Sequence, residues 1–382
     1  MTGVAWPRPR PHPMTYISPT AATDLEACSL KVGFARDPDF SSLRRLGDAA
    51  AVGIVAHAVY ERVARGEYDY PGGEDARTIL GEIWDQEVAR VRRRLDDAWN
   101  PAQVPEPGEW RNIARARRSI LRRQEPRLIP GHERVMTGVP SEPRSTKLRV
   151  AAATPPLPWI ERRLRDANLG IEGTPDRVER QVDGVWILDL KSGWDQDEAT
   201  DVQRRQLFIY AHLVGAALGE RPTHVAIDSR KGRFPLPVNW SSVETDAQRM
   251  AQLRSDFNVA LEAGAPKLEA NPSAQNCRYC PFRLVCGPSQ VTVSEEWRLP
   301  LVVTGTVRAV YEEQARTVID LDILYPEWRA GVQARVIDVA WTTSPRVGDV
   351  LSVAGVGSTS DGRTLVGAWD TLNYTFADSA RT

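Results

Sequence analysis

An α/β core behind a helical N-terminal part, followed by a small all-β barrel, is the fold that this 382-residue sequence predicts. Three observations carry that expectation. Apolar residues recur at helical intervals as far as about Trp99. A strand–hairpin–helix–strand pattern runs from about Ile160 to Asp228. Beyond Cys286 the texture turns to short β-rich segments divided by turn residues.

The helical part rests on Leu43 to Arg65, Ala-rich with apolar spacing, and on Glu74 to Trp99. In the second stretch Ile79, Leu80, Ile83, Val88, Val91 and Leu95 fall on one stripe. A loop with three prolines, Asn100 to Gly108, separates it from an arginine-rich helix. The core reads as a mixed sheet flanked by helices. Val185 to Leu190 is a mostly apolar strand entered through Asp183-Gly184, a hairpin turn; an amphipathic helix follows over Val202 to Leu218, and Thr223 to Asp228 is a further strand. Leu301–Val310, Thr317–Leu324, Ala334–Trp341, Asp349–Val356 and Thr364–Tyr374 are five β-rich segments, which suit a barrel of the OB or SH3-like kind.

Composition narrows the class. With 42% hydrophobic and 26% charged residues, the chain is of ordinary globular type. Met1 to Met14 is rich in Pro and Arg and has no apolar export signal; Leu207 to Gly219 is too short for a membrane span. The expected location is the cytoplasm, with no membrane partner. Net charge is −1, but Arg90, Arg92, Arg93 and Arg94 form one cationic group. Arg111, Arg115, Arg117, Arg118, Arg122 and Arg123 form another. Phosphate contacts and a solvated helix face fit these groups equally well.

Chemistry concentrates around Pro175-Asp176 and Asp189-Leu190-Lys191. Asp189 and Lys191 are two apart on one strand and share a face, and the hairpin brings Asp176 alongside. Hard oxygen donors of this kind suit Mg²⁺ or Mn²⁺, and a lysine beside the ion can orient the attacking water. Gln206 and Tyr210 lie one turn apart on the following helix. His57 follows Gly53 by one turn, which leaves room beside the imidazole. Glu161, near the start of a helix-like stretch, is an additional ligand or support, with Glu133 competing for that role.

Together these residues resemble the PD-(D/E)XK nuclease superfamily: Pro175-Asp176 stands for "PD" and Asp189-Leu190-Lys191 for "(D/E)XK". His57 upstream and Gln206-x-x-x-Tyr210 downstream resemble its RecB-type branch. The resemblance runs from about Asp24 to Cys286. It implies a metal site of His57, Asp176 and Asp189, with Lys191, Gln206, Tyr210 and Glu161 completing a catalytic pocket. It implies a phosphodiester hydrolase acting on single-stranded or end-bearing DNA, as an exonuclease rather than an endonuclease, in repair, recombination or phage defence. A helicase or an integration complex is the kind of protein partner it suggests. The other reading is a non-catalytic DNA-binding or assembly subunit that retains the fold.

The cysteines Cys28, Cys277, Cys280 and Cys286 comprise every cysteine in the chain. Three are spaced Cys-x₂-Cys-x₅-Cys, and tetrahedral thiolate sites take zinc or an iron–sulfur cluster. One cysteine before the core and three after it is similar to the layout of the AddB nuclease domain and the CRISPR-associated iron–sulfur exonucleases. The resemblance implies a [4Fe–4S] cluster on all four. The expected divisions are an N-terminal segment over residues 1–22, an iron–sulfur nuclease domain over 23–293 and the β-barrel over 294–382.

Overall fold

The computed structural model describes residues 4–44, 46–70, 75–98, 104–128, 156–191, 198–229, 231–262, 268–297, 301–314, 316–337, 339, 341, 344–368 and 371–376. The chain opens with α1 (Pro19–Ala27), α2 (Ser29–Arg36) and α3 (Pro38–Ser41), followed by α4 (Asp48–Ala64), α5 (Ala76–Ala98) and α6 (Ile113–Gln124). Ser18 caps α1 by accepting from the Ala21 N–H, and Pro19 sits in the first turn, where no amide donor is missed. Helices α4, α5 and α6 pack on one another around Val55, Val59, Leu80, Ile83, Val91, Leu95, Trp110 and Ile120. This is a core of their own, built from the predicted stripe. Among the described residues no helix is long and apolar enough to cross a membrane.

A mixed sheet follows. Its strands are β1 (Trp159–Ile160), then β4 (Arg177–Gln181), β5 (Gly184–Lys191), β6 (His224–Ser229) and β7 (Gly232–Pro237), in the order β1-β4-β5-β6-β7. Before β4 the short strands β2 (Leu164–Asp166) and β3 (Ile171–Gly173) pair with each other, and Ile171 of β3 also bridges Ile17. The stretch around Glu161, expected to be helix-like, is instead a bend between the short strands β1 and β2. Trp159 and Ile160 are bound to Val178 and Arg177, a partner that only the folded chain supplies.

The hairpin β4–β5 turns through Val182-Asp183, and Gly184 opens β5 at φ 126. A Cβ there would stand 2.5 Å from Thr223 Oγ1, so glycine is required for both backbone and space. Strands β5 and β6 run parallel, joined by α7 (Asp201–Leu218), whose entry is a capping box between Thr200 and Gln203. Val178, Val185 and Ile187 face α7 and α8 (Trp240–Glu262), meeting Leu207, Leu213, Val214, Val243 and Met250. Trp186, Leu188 and Ala226 line the other face.

The cysteine segment holds α9 (Ala274–Cys277) and α10 (Gly287–Thr292), after which come β8 (Leu301–Glu313), β9 (Arg316–Tyr325), β10 (Gln333–Ile337), β11 (Val350–Ser358), β12 (Thr364–Val366) and β13 (Leu372–Phe376). The fifth predicted β segment is thus two strands. Thr371 breaks it, its hydroxyl accepting from the Ala368 N–H and its own N–H donating to the Ala368 carbonyl. Strand β8 pairs with β9, β9 with β10 and β10 in parallel with β12, while β11 pairs with both β12 and β8. Phe34, Phe40, Phe282, Val302 and Ala354 form a cluster shared by the N-terminal helices, the cysteine segment and this sheet.

Candidate active site

The hairpin register decides which side chains converge. Arg177 stands opposite Leu188, so the residue before β4, Asp176, continues that register towards Asp189. Asp176 and Asp189 are 7% and 3% exposed, burial that carboxylates do not tolerate without partners. The Leu190 N–H donates to Asp176 Oδ2, and Lys191 Nζ lies 2.7 Å from Asp189 Oδ2.

Glu161 adds a third carboxylate. One step beyond the β1–β4 pairing, its N–H donates to the Asp176 carbonyl at 3.1 Å, and its backbone takes a left-handed φ of 47. From α4, His57 Nδ1 comes within 3.6 Å of Glu161 Oε1 and 3.7 Å of Asp176 Oδ1. Donor atoms of His57, Glu161 and Asp176 all lie within 4.8 Å of one another, a spacing at which one cation can be held. A side chain at Gly53 would meet nothing within 4 Å, so the space expected beside the imidazole is present. On α7, Gln206 Nε2 donates to Tyr210 Oη at 2.8 Å. Burial raises the Tyr210 phenol against the opposing hydrogen bond from Gln206, and the charges of Asp189, Asp176 and Glu161 push it further up. Glu133, the competitor of Glu161, lies outside the described residues.

Crowded acids show up in their protonation. Burial, then the charge of Asp189, pushes Asp176 up to about 8 despite the opposing pull of His57. Burial opposes charge on His57, yet the hydrogen bond to Glu161 and the charges of Asp176, Glu161 and Asp189 outweigh it and raise the imidazole. Between the ordinary carboxylate range and pH 8, the folded protein then holds a proton at Asp176 that the unfolded chain has released. Stability must fall as pH rises through that window, by on the order of several kcal/mol. The raised His57 acts in the same direction: its contribution is full at low pH and is lost as pH rises. In EDTA, thermal unfolding is expected to show this decline for the wild type and a flatter profile for Asp176→Asn. Parallel profiles would show that Asp176 does not titrate there.

One residue of the pocket escaped the sequence reading. A Cβ on Gly173 would stand 2.8 Å from Tyr210 Cε1 and 3.0 Å from Leu213 Cδ1. Only glycine lets β3 approach α7 so closely. Gly173→Ala is expected to shift Tyr210, costing about 1–3 kcal/mol of stability and about tenfold or more in any turnover that uses this pocket. Urea unfolding and steady-state rates check both, and an unchanged rate would show that Tyr210 needs no such seat. Two residues before the Pro-Asp motif, an unexplained strand glycine is the only signal the sequence offers.

Members of both arginine groups are paired within the fold. Arg90 and Arg92 pair with Glu87 and Asp96 at 2.6 and 2.8 Å, and Arg123 is buried against Asp228. The four cysteines line one cavity, together with Phe34, Phe282 and Arg283. Burial first, with neighbouring thiols adding to it, pushes Cys280 up to about 11 and Cys286 up to about 12. Among the described residues no three of their sulfurs lie within 4.8 Å of one another.

Comparison with known proteins gives three results. No curated protein matches the sequence. The crystal structure of SSO0001 aligns with 35% of this chain and 61% of its own, at 16% identity and a TM-score of 0.22. The chain therefore spans less than two thirds of that protein, and so slight an overlap implies nothing about fold. A family model described as the PD-(D/E)XK nuclease superfamily matches residues 16–287.

Proposed function

The chain belongs to the PD-(D/E)XK nuclease superfamily, and from that membership we propose a metal-dependent deoxyribonuclease of the RecB-type, iron–sulfur branch. The observation that carries the proposal is the convergence of His57, Glu161 and Asp176 at a spacing that one cation can bridge, with the buried Asp189 bound to Lys191 on the strand alongside.

The donor set fits a hard divalent cation. Carboxylates pressed together until one is pushed up to about 8 are groups whose mutual repulsion a cation relieves. Bound Mg²⁺ or Mn²⁺ would polarise the scissile phosphate and make its water more acidic. His57, Asp176 and Asp189 would hold the ion, with Glu161 beside them. Lys191, held by Asp189, orients the attacking water and balances the charge that grows on the phosphate oxygens. Gln206 fixes the Tyr210 hydroxyl, and the pair positions the strand backbone.

Four cysteines lining one cavity support a shared metal centre, and a cluster is the centre that the family resemblance implies. Cys28, Cys277, Cys280 and Cys286 would hold a [4Fe–4S] group, whose binding joins folding energy from both ends of the nuclease unit. For the C-terminal part we propose an OB-like barrel beginning near residue 294. The support is that β8, β9, β10, β12 and β11 each pair with two of the others, so the last returns to the first.

The substrate proposed is single-stranded or end-bearing DNA, attacked from an end, in repair, recombination or phage defence, beside a helicase or an integration complex. The test is cleavage of labelled DNA with free and blocked ends, in Mn²⁺ and in EDTA. Metal-dependent loss of free-ended strands is expected. Binding without cleavage in Mn²⁺ would instead indicate a non-catalytic subunit, and equal cleavage of blocked ends an endonuclease.

A further inference from the structure

On the sheet face opposite α7 lies a cavity of about 530 Å³ lined by Arg65, Arg127, Arg177 and Arg233, with Glu179 as its only acidic lining residue among the described residues. The four cations come from different places in the chain: the end of α4, the turn after α6, the first residue of β4 and the second of β7. Their convergence is a product of the fold and of no single charge run. Arg177 directly follows Asp176 but points to the other face, because Val178 faces α7.

The carboxylates nearby are shared thinly. Glu179 serves both Arg177, at 2.6 Å, and Arg233, at 3.7 Å. Asp228 is taken by Arg123, with Arg127 at 3.5 Å and Arg233 at 3.9 Å. Only Arg65 has acids largely to itself, Glu61 at 2.7 Å and Glu67 at 4.0 Å. Although so close to Glu179, Arg177 leaves its buried Nε–H without an aligned acceptor. Arg123, Arg127, Arg177 and Arg233 gathered around two shared carboxylates hold positive charge in surplus, and three of them line the cavity with Arg65. A phosphate, with its several acceptor oxygens, is the chemical complement of that surplus.

Position gives the cavity a role. His57 lies on α4 and Arg65 caps its C-terminal end two turns on, about 12 Å along the helix axis. Arg65 Nη2 also donates to the Ile160 carbonyl at 3.1 Å, next to Glu161. A stacked strand covers such a distance in about three or four nucleotides. We propose that this cavity is a phosphate subsite, holding a phosphate of the substrate strand a few nucleotides from the bond that is cut. The inference rests on the nuclease reading above and adds to it a fixed point outside the metal pocket.

The experiment measures binding, not turnover. Anisotropy of labelled oligonucleotides is followed in EDTA over a salt series, with Asp189→Asn as the background. Arg65→Gln and Arg233→Gln are made separately, since side chains 40% and 34% exposed can be replaced without opening the core. Each is expected to weaken binding about three- to tenfold and to lower the slope of log K against log salt by about 0.7–0.9. Arg118→Gln, on the exposed face of α6, should leave the slope unchanged. Strands with 5′-phosphate and 5′-hydroxyl ends locate the phosphate. A preference for the phosphorylated end that Arg233→Gln erases assigns the terminal group; equal weakening of both assigns an internal one. Slopes unchanged in both arginine variants would overturn the subsite and leave the nuclease reading standing. A wild type that binds no nucleic acid would overturn both.

Discussion

Asp189→Asn is expected to lower DNA cleavage by on the order of 10³-fold or more while leaving DNA binding in EDTA nearly unchanged. The substitution keeps the shape of a side chain that is 3% exposed, so packing is preserved and the chemistry alone is altered. It removes the charge that holds Lys191 Nζ at 2.7 Å, and it removes an oxygen donor from the proposed metal set. Lys191→Ala is expected to fall to a similar level by a different route, with metal affinity retained and the orientation of the water lost. Comparing Mn²⁺ titrations of the two variants separates these routes. Wild-type rates in both, with contaminating nucleases excluded, would sink the site assignment.

Cys286→Ala is expected to lower the melting temperature by about 10 °C and to reduce nuclease activity together with iron and sulfide content. The physical reason lies in what the cysteine segment touches. Phe282 stacks on Phe34 at 5.6 Å, and Asn276 Nδ2 donates to the Ala27 carbonyl at 3.1 Å, so the segment already clasps the α1–α2 junction at Cys28. A cofactor held from both sides would tighten a clasp on which α1 and α2, and through them α7, depend. Metal analysis and visible absorbance of anaerobically purified protein are measured alongside unfolding. An unchanged melting temperature with unchanged absorbance would remove the cluster.

Legibility in the sequence followed the range of the interaction. Asp189 and Lys191 could be placed on one face because strand parity is local, and Asp176 could be brought beside them because a tight hairpin sets register over a few residues. The α4 and α7 helices were readable from apolar spacing. What remained hidden depends on partners far along the chain. Glu161 could be named as a candidate, but the two-residue strand that seats it against β4 is too short to leave a period. The approach of Gly173 to Tyr210, and the burial of Arg123 on Asp228, exist only once sheet and helices are stacked. The parallel pairing of β10 with β12, on which the closing of the C-terminal strands turns, joins segments separated by β11. The last β-rich segment misled because its residues have strand propensity throughout, whereas a side-chain hydrogen bond at Thr371 divides it.

His57 belongs to a helix packed in one hydrophobic core, while the acids it meets belong to a sheet packed in another. The pocket is therefore a seam, joined by contacts such as Arg65 to the Ile160 carbonyl and Arg127 over the Tyr60 ring. Two bodies with separate interiors can alter their clearance without either interior repacking. The thickness of strand that the pocket admits is then a matter of how the helical layer is seated, and it can be changed at residues that touch neither metal nor substrate.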